Sequence, residues 1–312
     1  MAKNIYDVII IGSGPAGMAA AIYAQRARLD FVVLEEQYIS GGQIINTYDV
    51  DNYPGMPNIS GMELANRMEE HAKGLGVQVT QGRVEEIADL GDCKKVRTSQ
   101  EEYMTRTVVI ATGARHAQLG VAGEQEFSGK GVSYCATCDG AFFKKRVVCV
   151  VGGGDVAAED AIFLSRLCEK VYLIHRRDQL RAAAVLAERV DALPNVEILW
   201  NTVVERIEGG ETVERAALYN KKEDRRSVLE VNGVFIAVGI RPNSEPFGGL
   251  VKTDQNGYIC ADETGRTDIP GVFAAGDVRT KQLRQILTAA SDGANVVTSV
   301  QQYLLTSQTS VI

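Results

Sequence analysis

Cys135-Ala-Thr-Cys138, followed at once by Asp139, puts two thiols and a carboxyl on one short stretch of chain. A Cys-x-x-Cys has three readings. Zinc needs four ligands, normally a second cysteine pair or two suitably spaced histidines. Cys93, Cys149, Cys168 and Cys260 are scattered, and His71, His116 and His175 form no such spacing, so no metal is expected. A structural disulfide does not suit a reducing compartment. A redox-active pair fits best, because neighbouring thiols cycle between dithiol and disulfide and one thiolate can be stabilised locally. Exchange must also move a proton to and from the leaving sulfur, and a carboxylic acid at Asp139 could do that. The other reading of Asp139 is a helix-cap or turn aspartate beside Gly140.

The pair sits between two glycine-rich fingerprints, Gly12-Ser-Gly14-Pro15-Ala16-Gly17 and Gly152-Gly-Gly154-Asp155-Val156-Ala157. Residues 6–11 read as a buried parallel strand, 15–28 as a helix and 31–34 as a second strand closed by Glu35. In such a unit the first glycine permits the tight turn, the second lets backbone approach a pyrophosphate, and the third lets helix pack on strand. The helix N-terminus offers N–H groups to the phosphates, and Glu35, or Glu36 beside it, meets the ribose hydroxyls. The pattern repeats with a strand at 147–151, a helix at 154–167 and a strand at 171–174. This unit ends in His175-Arg176-Arg177, with Arg181 one turn on. An acid selects a free ribose diol, whereas cationic side chains accommodate a 2′-phosphate. The second site therefore reads as built for NADPH, and the first for a nucleotide without that phosphate. Nucleotide, second cofactor and disulfide together suggest an electron path.

Those elements need room. At 312 residues the chain is long enough for two domains, and 45% apolar with 23% charged residues is ordinary globular composition. Ala111-Thr112-Gly113 and the run 235–239 each close a strand leading back toward the other domain. Residues 272–277 form another strand, ending in Gly276-Asp277, followed by Arg284-Gln285-Ile286 and a helical run to Leu305. The expected organisation is a discontinuous first domain, 1–115 plus 245–312, with a second inserted at 116–244 and two short crossovers as a hinge pair. The net charge of −7 disfavours nucleic acid, whose phosphates need clustered Lys and Arg. Lys144-Lys145-Arg146 and residues 221–226 read as solvated turns. No stretch reaches the roughly 20 apolar residues of a membrane span. The N-terminus passes into a strand without signal-peptide regions, so the expected location is cytoplasmic. Six cysteines are too sparse for a secreted framework, and Cys149 and Cys168 read as inert core thiols.

Taken in order, residues 12–17, Gly41-Gly42-Gln43, Asp51-Asn52-Tyr-Pro54-Gly, 111–113, 135–139, 152–157, 175–177 and Gly276-Asp277 resemble a known family. It is the low-molecular-weight, bacterial-type thioredoxin reductases, flavoproteins of the pyridine nucleotide-disulphide oxidoreductases, and the resemblance covers essentially the whole chain. It implies an α/β fold of two Rossmann-like, three-layer domains, the NADPH domain inserted into a discontinuous FAD domain. FAD would be held by the first glycine loop, Glu35, Glu36, Gly41, Gly42, Gln43, Asn52, Val84, Ala111, Thr112 and Gly113. Asp277 would bond its ribityl chain, beside Gly276, Arg284 and the Gln285-Ile286 backbone. NADPH would be held by Gly152, Gly154, Asp155, Val156, Ala157, His175, Arg176, Arg177 and Arg181.

The resemblance further implies electron flow from NADPH through FAD and the Cys135–Cys138 disulfide to thioredoxin. Cys138 would lie nearer the flavin, Cys135 would attack the partner, and the enzyme would be a homodimer. Ala122 and Ser291 depart from the family's usual proline and glycine, away from the inferred chemistry. Ferredoxin-dependent relatives commonly lack the second glycine pattern and the basic triplet, both present here. The chain ends in Thr-Ser-Val-Ile, without the extra redox pair of the larger reductases. The alternatives are a flavin disulfide reductase with another acceptor or with ferredoxin as donor, and a non-catalytic redox sensor.

Overall fold

The structure is a computed structural model that describes residues 5–47, 50 and 52–309. Of the stretches used above, residues 1–4, Asp51 and residues 310–312 lie outside the described residues. Two compact units emerge: Met1–Ile45, Tyr53–Arg115 and Arg241–Ile312 form the first, and Asn46–Asn52 with His116–Ile240 the second.

The first unit opens with β1 (Ile5–Ile11), α1 (Pro15–Arg26) and β2 (Phe31–Glu35). It continues through α2 (Gly61–Gly74), β3 (Val79–Gln81), β4 (Val84–Asp89), β5 (Lys94–Thr98), β6 (Glu102–Ile110) and β7 (Ala114–His116). The sheet order is β3-β2-β1-β6-β5-β4. β1 pairs in parallel with both β2 and β6, whereas β5 and β4 run antiparallel. Alternation along β1 fills both faces: Val8 and Ile10 join the helical layer, while Ile9 and Ile11 join a second cluster with Phe247, Val251 and Ile259. Ile9 and Ile10 are fully buried, and each such side chain contributes about 2 kcal/mol.

The second unit contains β8 (Val132–Ser133), α3 (Ala136–Asp139), β9 (Val147–Gly152), α4 (Asp155–Ser165), β10 (Lys170–Ile174), α5 (Ala184–Asp191) and β11 (Val196–Leu199). After them come β12 (Thr202–Gly209), β13 (Val213–Asn220), β14 (Arg225–Glu230), β15 (Gly233–Ala237) and β16 (Ile240–Pro242). Its all-parallel sheet runs β11-β10-β9-β15-β8, and β12-β13-β14 form a separate antiparallel sheet. Val148 and Val150 pack toward α4, while Cys149 and Val151 pack with Val204, Ile207 and Leu218 of the antiparallel sheet. Helix, parallel sheet and antiparallel sheet are thus three layers. Residues 221–226 are not one solvated turn: the turn stops at Asp224, and Arg225 and Arg226 open β14. Arg226 lies over the Tyr219 ring and pairs with Glu205.

β7 and β16 pair as a ribbon where the chain passes between the units. The first unit is completed by β17 (Val272–Ala274), parallel to β6, and by α6 (Ile286–Thr309). The fold is α/β: two Rossmann-like domains, one inserted in the other.

Candidate active site

Both helices that follow a glycine loop start without a side-chain cap. α1 has Gly14 at its N-cap and Pro15 at the first turn, and α4 has Gly154. By contrast, α2 is capped by Ser60, whose hydroxyl accepts the Glu63 N–H at 3.1 Å. Uncapped N–H groups at a helix start are the ready partners of an anion.

Space around the glycines separates packing from binding. A Cβ on Gly12 would lie 2.5 Å from the Ala111 carbonyl oxygen, and one on Gly17 would lie 1.8 Å from that of Gly12. Those two are forced by close strand–helix approach. Gly14 is not: its nearest neighbours, in Gly41 and Gly42, stand 3.8 and 3.9 Å away. The Gly41 amide donates to the Ser13 carbonyl at 3.0 Å, so the 41–43 segment is tied to the first loop and faces Gly14 across a gap. Glu35 at the end of β2 accepts from the Ser13 amide at 2.7 Å and its hydroxyl at 2.6 Å. Gln43 donates to the Ala114 carbonyl. Val84 lies in the apolar core at the start of β4, and Asn52 and Glu36 are exposed.

The second loop repeats this logic. A Cβ on Gly152 would meet the Ala237 carbonyl oxygen at 2.4 Å, and one on Gly153 would strike the His175 ring at 2.1 Å, yet Gly154 has nothing within 4 Å. His175 is buried, with its ring nitrogens 2.9 Å from the Gly152 carbonyl and 3.0 Å from that of Gln179. It buttresses the loop from beneath. Arg176, Arg177 and Arg181 are exposed, and among the described residues none is in an ion pair. The Arg181 amide donates to the Gly153 carbonyl at 2.6 Å, and Asp155 accepts from the Ala183 amide at 2.8 Å. Both bonds hold the arginine-bearing segment at the mouth of the glycine loop. Ala157 is buried and Val156 exposed.

Cys135 and Cys138 form a disulfide across the start of α3, with Cα atoms 5.3 Å apart. Asp139 closes that helix, and its Oδ2 accepts from the Ser133 hydroxyl at 2.6 Å. The other thiols differ. Burial pushes Cys149 up to about 12 and Cys168 up to about 11, so both are inert at neutral pH. Among the described residues no cluster of His, Cys, Asp and Glu could hold a metal, and no helix is long and apolar enough to cross a membrane.

After β17, Asp277 carries a buried Oδ1 with no hydrogen-bond partner among the described residues. Burial raises its pKa, partly offset by Lys281 and Arg284. A buried acceptor left open is what a hydroxyl-bearing ligand would satisfy. Asp292 of α6 anchors this turn: its Oδ2 accepts from the Gly276 amide at 2.9 Å, Arg279 Nε at 2.8 Å and Lys281 Nζ at 2.9 Å. Burial alone would lift the Asp292 carboxyl, but bonds from Arg279 and Lys281 outweigh it and hold it below the ordinary carboxylate range. Arg284 stacks 3.9 Å over the Tyr258 ring, with its Nε buried and unpartnered. The Gln285 amide donates to Thr288 Oγ1 at 3.1 Å, and α6 begins at Ile286.

The sequence matches the pyridine nucleotide-disulphide oxidoreductase family over residues 6–293. It is 48% identical over 303 residues to a thioredoxin reductase of Listeria monocytogenes, covering 97% of this chain and 95% of that protein. The chain belongs to the thioredoxin reductases. The solved thioredoxin reductase of Streptococcus pyogenes superposes with a TM-score of 0.92 at 46% identity, covering 97% of this chain and 99% of that one. That of Giardia duodenalis gives 0.91 at 33% identity, covering 97% and 100%.

A thioredoxin reductase is an oxidoreductase, and the closed Cys135–Cys138 pair is its redox-active disulfide here. Ser13, Ser133, Asn243 and the Arg279–Lys281–Asp292 cluster are functional-site residues that the sequence motifs do not single out. Asn243 donates to the Thr112 carbonyl at 2.8 Å and its own carbonyl accepts from Thr112 Oγ1 at 2.7 Å. Only Ser13 and Ser133 had a local signal, each being a hydroxyl inside or just before a motif.

Proposed function

We propose that the chain is an NADPH-dependent thioredoxin reductase that delivers reducing equivalents to thioredoxin through FAD and the Cys135–Cys138 pair. On this reading residues 1–115 and 245–312 are the FAD domain, 116–244 the NADPH domain, and the enzyme a homodimer. The observation that carries it is a Cys135–Cys138 disulfide on the same unit as an open glycine loop flanked by three arginines in no ion pair among the described residues. FAD, when bound, supplies the two-electron relay between nicotinamide and disulfide.

The chain's own residues supply grip and protons. Gly14 and the start of α1 receive the FAD pyrophosphate, Glu35 or Glu36 the ribose, and the open Asp277 Oδ1 a ribityl hydroxyl. Gly154 and the start of α4 receive the NADPH pyrophosphate. Arg176, Arg177 and Arg181 match a 2′-phosphate because, among the described residues, their charges have no carboxylate to satisfy them. In the exchange step the Cys135 thiolate attacks one sulfur of the partner disulfide, and the other sulfur leaves and takes up a proton. Cys138 then attacks the Cys135 sulfur, releasing the second partner sulfur and closing the disulfide. Asp139 carries the proton between the enzyme and the leaving sulfur.

An anaerobic titration tests this. NADPH should bleach the bound flavin, and added thioredoxin should restore its colour with stoichiometric partner thiols. Bleaching by reduced ferredoxin but not by NADPH would refute the donor. Bleaching without reoxidation by thioredoxin would refute the acceptor.

A further inference from the structure

Ser133 stands where it can serve Asp139 in either protonation state. It is the last residue of β8, paired with Phe235 of β15, so a sheet edge fixes its backbone. Its side chain is buried, at 5% exposure. Three polar neighbours surround Oγ: Asp139 Oδ2 at 2.6 Å, the Cys135 amide nitrogen at 3.1 Å and the Cys135 carbonyl oxygen at 3.3 Å. A serine hydroxyl has one proton to give and two lone pairs to receive. With Asp139 ionised, it donates to Oδ2 and accepts the Cys135 N–H. With Asp139 protonated, the acid's O–H donates to Oγ, Oγ still accepts the Cys135 N–H, and the serine proton turns to the Cys135 carbonyl. Every donor in both arrangements has an acceptor within reach, and the change is one rotation of a hydroxyl.

We propose that Ser133 is a positioning residue: a hydroxyl rotor that keeps the Asp139 carboxyl hydrogen-bonded, and tethered to the Cys135 backbone, both before and after it gives up its proton. The inference rests on the acid role given to Asp139 above. In the step concerned, the partner disulfide bond breaks as the Cys135–partner bond forms, and the proton leaves Asp139 for the departing sulfur. No electron passes through Ser133. Its contribution is that the acid neither swings away from the sulfurs nor loses a buried partner when its charge changes, a loss that is costly in a poorly solvated site.

Ser133→Thr and Ser133→Val isolate the hydroxyl, because their side chains have the same shape and differ by one O–H. NADPH-reduced holoenzyme would be mixed with thioredoxin in single turnover, with flavin content and melting temperature as controls on folding. We expect Ser133→Val to slow exchange about tenfold, one lost hydrogen bond to a charged group. Ser133→Thr should restore it to within about threefold, and flavin reduction by NADPH should be unchanged in both. In an Asp139→Asn background the Val-for-Thr difference should shrink below about twofold, as it must if serine acts through the acid. Equal rates for the Thr and Val enzymes, or a full tenfold difference persisting with Asn at 139, would overturn the inference. An Asp139→Asn enzyme that exchanges at the wild-type rate would instead remove the acid, and the rotor with it.

Discussion

Strand β2 ends on Glu35, whose carboxylate is taken up by Ser13 of its own glycine loop, whereas β10 is followed by buried His175 and two exposed arginines. Elsewhere the two loops correspond closely. Each has a first glycine that the neighbouring strand forces, and a second glycine that no protein atom requires. They differ again at the third position, where Gly17 almost touches the Gly12 carbonyl but Ala157 carries a methyl group in a buried site. Backbone approach and ligand choice are separable in units of this kind: glycines let a diphosphate come close, and charge at the strand end discriminates between a ribose diol and a 2′-phosphate.

The largest effect should fall on the tighter loop. Gly17→Val drives a side chain into backbone that cannot yield, costing more than about 4 kcal/mol, and should leave little soluble, flavin-bearing protein. Ala157→Val only enlarges an existing side chain, costs about 1–3 kcal/mol and should leave a folded enzyme. Thermal melts and flavin absorbance compare the two, and equal tolerance would mean the helices pack alike. Next, Arg176→Ala with Arg177→Ala should raise the NADPH KM about 10²-fold through loss of charge-assisted bonds, with the NADH KM within about twofold. Parallel rises for both nucleotides would make the arginines structural. Smaller and symmetrical, Gly14→Val should lower FAD affinity and Gly154→Val NADPH affinity, each about tenfold or more. Each apoprotein should melt within a few degrees of wild type, since a Cβ at Gly14 makes only ordinary van der Waals contact and one at Gly154 has no neighbour among the described residues within 4 Å. Cross-effects between the two ligands would break the separation.

The smallest effect belongs to the second unit. Burial, with help from Glu159, pushes the Asp160 carboxyl of α4 up to about 7. A carboxyl raised in the folded state contributes stability that is fully present below its unfolded pKa near 4 and is lost as pH rises through about 7. Asp160→Asn should therefore flatten the decline between pH 4 and 7 and raise stability at pH 8 by about 1 kcal/mol, discounted for partial exposure. Urea melts across that range measure it, and an unchanged slope would place the pH response elsewhere.

What the sequence revealed follows from distance along the chain. The glycine loops, the Cys pair and the residues closing β2 and β10 are local patterns, and each stands where its motif put it. The Thr112–Asn243 clasp joins residues 131 positions apart, beyond any window of sequence. The Asp292 cluster spans only 16 positions, but no periodic pattern pairs its members, and it forms only when α6 packs back against the turn after β17. The antiparallel sheet was hidden differently: β14 is almost wholly exposed on both faces, so it lacks the apolar alternation that announces a strand. Ser133 lay in plain view, but its value comes from the position of Asp139 six residues on, after α3 has turned.

The crossover ribbon has a consequence for engineering and descent alike. Asn243 donates its backbone N–H to Gly113 at 3.0 Å, so the host closes its own seam, and the Ala117 amide reaches the Gly239 carbonyl at 2.9 Å, so the guest closes its own as well. A segment that enters and leaves through one stitched seam behaves as a cassette. Through that seam the guest's length enters as loop-closure entropy, which grows slowly with the number of residues. Splicing Arg115 to Arg241 through a short turn deletes the guest without pulling the host's strands apart. The same seam accepts a different guest, and new chain ends opened at Arg115 and Arg241 interrupt the two-stranded β7–β16 ribbon but not the larger sheets.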